Sequence, residues 1–195
     1  RRTDERRHRH HRSSHGREMM YQFSNEYPEL MNEERFEEYK KLVEDFFHTH
    51  NSSDQIKIDA ITFKEDKKLF PYTLNVIFHN GEMIGGTDIL PCTKKQMEKF
   101  LNHQLSEPEL LEEVKNDFKN GRLDYSKCDA IYLVSALVKP GHRRKGLALK
   151  ARMDSIEKTG IKNPVLFYWA YTEDGRKLNE KLAEQTDLKI LCRGD

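Results

Sequence analysis

The run Ala130-Ile131-Tyr132-Leu133-Val134-Ser135-Ala136-Leu137-Val138 constrains the fold of this 195-residue chain more than any other feature. It is apolar at odd and even positions alike, as a strand covered on both faces must be. Pro140-Gly141 stops it. Residues 146–158 then place Leu149, Met153 and Ile156 on one helical stripe, and residues 165–171 (VLFYWAY) form a second two-sided strand. Thr172 can cap a helix that runs through about Ala183, and residues 188–192 suit a short last strand. Strand, helix and strand in that order predict a βαβ crossover, hence an α/β fold with a mixed sheet.

Upstream, residues 32–49 read as a helix whose stripe is Phe36, Tyr39, Val43 and Phe46/Phe47. Residues 55–63, 70–79 and 82–90 read as three antiparallel strands. Asn80-Gly81 gives the hairpin between the last two, and charged residues 64–68 a solvated turn between the first two. Thr93 with Gln96 and Ser106 with Glu109 have capping-box spacing. Behind them lie the stripes Met97, Phe100, Leu101 and Leu110, Val114, Phe118, and Asn120-Gly121 ends the second helix. Residues 92–125 are thus a helical insertion between the third and fourth strands. As a connection on a rigid scaffold, it is expected either to wall or lid a binding site or to be plain extra core.

A mass of 23.1 kDa suits one domain. The longest apolar run has nine residues, where a membrane span needs about twenty. Three scattered cysteines, Cys92, Cys128 and Cys192, form neither a disulfide framework nor a zinc spacing, so no metal site and a cytoplasmic setting are expected. Residues 1–17 carry seven arginines against Asp4 and Glu5, and four histidines besides. A basic nucleic-acid arm or a metal-binding tract would have this composition. The run His10-His11-Arg12-Ser13-Ser14, however, resembles a polyhistidine leader followed by a blurred protease site. On that reading residues 1–24 are an expression tag and residues 25–195 the domain. The arm holds +5 of the net +1, so the remainder is mildly acidic and no nucleic-acid partner is expected.

The chemistry lies in Val138-Lys139-Pro140-Gly141-His142-Arg143-Arg144-Lys145-Gly146-Leu147-Ala148. A buried strand ends, a turn follows, and a helix starts at a glycine. Backbone N–H groups converge at such a junction and the helix dipole adds positive charge, which suits a pyrophosphate. Arg143, Arg144 and Lys145 can reach phosphate oxygens.

This segment resembles motif A of the GNAT acyltransferases (Gln or Arg, two residues, Gly, one residue, Gly or Ala), with Arg143, Gly146 and Ala148 in the signature positions. The resemblance implies acetyl-CoA as donor and a small amine or amino-acid-derived molecule as acceptor. It implies that the amides of Arg144, Lys145, Gly146, Leu147 and Ala148 grip the pyrophosphate. Pantetheine would lie along the exposed backbone of Ala136, Leu137 and Val138, with Thr172 within reach. The amine then attacks the thioester directly, and an N–H near Val138 stabilises the oxyanion.

The catalytic groups depart from the family pattern. Relatives carry a tyrosine acid where this chain has Asn179, so Tyr168 and Tyr171 are the candidate replacements. The glutamate of the histone-acetylating branch is Tyr132 here, so the base stays open, with Asp88, a candidate catalytic residue, and Ser135 as candidates for substrate or water contact. These departures keep open a second reading, a non-catalytic acyl-CoA-binding module. The last sheet edge is exposed, covered, or paired with a second subunit as a homodimer.

Overall fold

The two-sided run does become the middle of a sheet. A computed structural model describes residues 20–47, 61–170 and 172–194. Its strands are β1 (Tyr21–Phe23), β2 (Leu74–His79), β3 (Glu82–Cys92), β4 (Ala130–Val138), β5 (Val165–Trp169) and β6 (Ile190–Arg193). They form one mixed sheet in chain order. β1 to β4 are antiparallel neighbours, whereas β5 is parallel to both β4 and β6.

The described residues form six α-helices: α1 (Glu33–Phe47), α2 (Phe63–Leu69), α3 (Lys94–Leu101), α4 (Glu107–Lys119), α5 (Leu147–Lys158) and α6 (Glu173–Thr186). Both expected capping boxes are present. Thr93 and Ser106 each accept from the N–H three residues on, and the Gln96 and Glu109 side chains answer. Alternation along β4 sorts the helices into layers. Ala130 and Tyr132 face α3 and α4 across a core that includes Phe100, Leu110 and Val114. Ile131 and Leu133 face α5 and α6 through Ile156 and Leu182. Phe100, Tyr132 and Phe167 form a ring cluster with centroids 4.9 to 5.8 Å apart, each pair worth about 1 kcal/mol beyond its burial.

Two expectations are corrected. The first antiparallel strand is Tyr21–Phe23, ahead of residue 25, and not residues 55–63. Its register against residues 77–79 is held by Ser24, whose buried hydroxyl accepts from Val76 N at 2.8 Å. The expected strand at 55–63 lies mostly outside the described residues, and its last residue, Phe63, opens α2. The charged residues 64–68 are helical rather than a turn. Thr62 caps them by accepting from Glu65 N at 3.1 Å, and acids lie in the first turn with lysines in the last, as the helix dipole favours.

Candidate active site

The β4–α5 junction follows the geometry its residues predict. Gly141, Arg144 and Gly146 have φ of 90°, 63° and 71°. Positive φ interleaved with ordinary backbone is the kind of conformation that can turn successive amides toward one side. Gly146 is the N-cap and brings no side chain to it, and a Cβ there would meet nothing within 4 Å. Among the described residues, no protein acceptor takes the N–H groups of residues 143–149. Leu147 turns its side chain into the core beside Phe23, Ile77 and Ile84, which anchors the helix start.

The strand edge leading to this turn is open. β4 and β5 pair only at Ala130↔Val165, Ile131↔Leu166 and Tyr132↔Phe167. Beyond Tyr132 they part, and among the described residues Leu133 and residues 135–138 keep a strand partner only on the β3 side. A bulge sits where they separate: Asp88 opposes Ser135 and Ile89 opposes Leu133, which leaves Val134 as the extra residue.

A cavity of about 110 Å³ occupies the parting, and it reaches both faces of the sheet. Its walls are mainly apolar, including Phe47, Ile61, Phe70, Leu111 and Trp169, yet Asp66, Asp88, Glu107 and Arg152 line it too. Asp66 comes from α2, Asp88 from β3 and Glu107 from α4, all on the first face; Arg152 comes from α5 on the second. Burial pushes the Asp66 carboxyl up to about 7. Asp88 is held well above the carboxylate range by burial and then by Asp66, against a weaker pull from Ile89 N–H and Arg152. Glu107 accepts from the Tyr132 hydroxyl at 2.7 Å.

Arg152 is 2 % exposed. It donates from Nη1 to Asn179 Oδ1 at 2.9 Å and from Nη2 to the Ser135 carbonyl at 2.6 Å, while its Nε has no partner. Burial lowers its pKa to about 10, so it stays cationic at neutral pH. The buried Tyr39 hydroxyl lies beside Ser135 without a well-formed bond, and burial raises its pKa. Its ring reaches β3 because residue 86 is glycine: a Cβ there would sit 2.6 Å from the ring.

The structure gathers several of the residues singled out by sequence. Asp88, Ser135, Ala136, Tyr168 and Thr172 all line the cavity. Leu137 faces the α1 core, so only its backbone is at the edge. Thr172 Oγ1 already accepts from Gly175 N at 3.0 Å, as a cap. Tyr168 packs beside Cys192, and burial with that neighbour raises its hydroxyl. Tyr171 lies outside the described residues. Arg143 bends back rather than reaching outward: Nε donates to the Val138 carbonyl at 2.8 Å, and the guanidinium lies 5.8 Å from the Phe46 ring centroid. Arg144 and Lys145 are exposed, the latter 5.8 Å over the Tyr21 ring. His142 is pinned by Tyr21, whose hydroxyl is 2.8 Å from Nδ1.

Sequence reasoning missed Asp66, Glu107 and Arg152. Asp66 was hidden by the turn reading of residues 64–68, although Thr62 and Glu65 have the capping spacing recognised at Thr93 and Ser106. Arg152 left a trace: it falls three residues after Leu149 and four before Ile156, a charge on the apolar stripe of α5.

No protein-family model matches the chain, and neither a curated protein nor a solved structure is found to match it. Among the described residues no helix is long and apolar enough to cross a membrane, and no cluster of His, Cys, Asp and Glu could hold a metal ion.

Proposed function

We propose that this chain is a GNAT-type N-acyltransferase, which moves an acetyl group from acetyl-CoA to a small cationic amine. One observation carries the reading: among the described residues the edge of β4 beyond Tyr132 has no strand partner on the β5 side and runs straight into a turn whose amides have no protein acceptor. An extended chain of amides ending in a diphosphate complements both at once, as an added strand on the edge and an anion in the amide nest. Seating that chain displaces the Arg143 guanidinium from the Val138 carbonyl and frees it for phosphate.

The rest of the cavity suits the acceptor. Apolar walls receive a small organic body, and the facing Asp66 and Asp88 carboxyls offer acceptors to an ammonium. Asp88 then takes the proton, since burial raises its affinity for one. The free amine attacks the thioester carbonyl, the C–S bond breaks, and amide and thiol leave. The glutamate helix α4 and the aspartate helix α2 close the acceptor side, so the insertion supplies a wall as well as core.

Isothermal titration with acetyl-CoA and with desulfo-CoA, followed by a free-thiol assay over a panel of small amines, tests the proposal. Saturable binding of both ligands with amine-dependent thiol release is expected. Binding with no turnover on any amine marks a non-catalytic acyl-CoA module instead, and absence of binding removes the reading.

A further inference from the structure

We infer that Arg152 forms a buried anion site for the sulfur released from the coenzyme; the inference rests on the acyl-CoA reading above and deepens it. The motive is a buried cation that forms no ion pair. Arg152 is 2 % exposed and lines the cavity, yet among the described residues it makes no ion pair. Its two bonds go to neutral dipoles, the Asn179 amide and the Ser135 carbonyl, and Nε is buried with no partner. Burying a guanidinium without an anion is expensive, and the cost is recovered when a ligand brings the missing charge.

Among the described residues no acid forms an ion pair with it. Asp88 on β3, Tyr39 on α1 and Tyr132 on β4 are the titratable groups that act on Arg152. Asp66 and Glu107 line the same cavity. Burial keeps Tyr39 protonated and raises both Asp66 and Asp88. Glu107 is engaged with Tyr132.

Position identifies the anion. With the diphosphate at the turn after Val138, the pantetheine runs back along β4 past Val138, Leu137 and Ala136. Its thiol end therefore arrives at Ser135, whose carbonyl holds Arg152 Nη2 at 2.6 Å. When the amine attacks, a C–N bond forms and the C–S bond breaks with its electron pair passing to sulfur. The guanidinium faces that charge and keeps its own proton. The proton shed by the attacking nitrogen goes on to the sulfur, which leaves as the thiol. Asn179 is a positioning residue, fixing Nη1.

The test uses the full chain with CoA bound, following the ultraviolet thiolate band against pH. The bound thiol should ionise at least about one pH unit below free CoA, a tenfold change in its ionisation constant. Arg152→Met should return it to the free value and Arg152→Lys should keep part of the shift. A bound thiol that ionises at or above the pH of free CoA overturns the inference while leaving the coenzyme reading intact. Failure of CoA to bind at all overturns both. The wild-type titration decides the matter even if the Met variant does not fold.

Discussion

The Tyr132 hydroxyl donates to the Glu107 carboxyl at 2.7 Å, which ties the central strand to the insertion helix through a buried hydrogen bond. Tyr132→Phe removes one partner of a buried acid and is expected to lower stability by about 1–3 kcal/mol. Urea unfolding checks this, and the slope should stay unchanged because the fold is unaltered.

Tyr21 anchors the turn before α5 through His142, 2.8 Å away, and carries Lys145 over its ring. Tyr21→Ala should weaken acetyl-CoA binding about fivefold, the equivalent of roughly one hydrogen bond. Tyr21→Phe should lose less, because the contacts to the His79 and His142 rings survive. Calorimetric titration of the two variants separates bond from ring.

Gly146 sits at φ 71° with open space where a side chain would go. Gly146→Ala should cost about 1–2 kcal/mol of backbone strain and still bind coenzyme. Gly146→Glu adds a carboxylate beside the amide nest and should abolish coenzyme binding. Unchanged affinity in the Glu variant would refute the assignment of this turn.

The Asp66 carboxyl is raised from 3.8 to about 7 in the folded chain. The folded state therefore holds a proton between those values that the unfolded state releases. The associated stability is complete below about pH 4 and is lost as pH rises through about 7. Asp66→Asn should thus be more stable than wild type at pH 8, by ~2 kcal/mol after discounting for the opening to the cavity. The difference should vanish near pH 4. Thermal melts at the two pH values suffice.

Asp88 works as a base only when ionised. kcat/KM should accordingly rise with pH and level off once the Asp66–Asp88 pair has lost its protons. Asp88→Asn should lower kcat/KM by about 10²–10⁴ with acetyl-CoA affinity intact. A variant that keeps full turnover would remove Asp88 from the mechanism.

The strands of the second half were legible because their apolar runs are two-sided and their breaks are marked by Pro140-Gly141 and Thr172. The insertion was legible through Thr93 and Ser106, whose caps report helix starts locally. β1 was not: three residues beside an arginine-rich stretch carry no periodicity, and only pairing with residues 77–79 makes them a strand. α2 was obscured because five charged residues in a row read as a solvated link. Asp88 and Ser135 stood out as polar residues within apolar strands. Their meeting through Asp66 and Arg152 depends on four elements distant in sequence, which no local pattern records.

The parting of β4 and β5 also divides the molecule mechanically. The backbone pairing that joins the sheet of β1 to β4 to the β5–α6–β6 flap is confined to three residue pairs at one end, like the joint of a pair of tweezers. A ligand clasped between the blades would bridge them along their whole length. Amide exchange in the flap should slow on occupancy far more than in β2 and β3, since those strands are already laced on both sides.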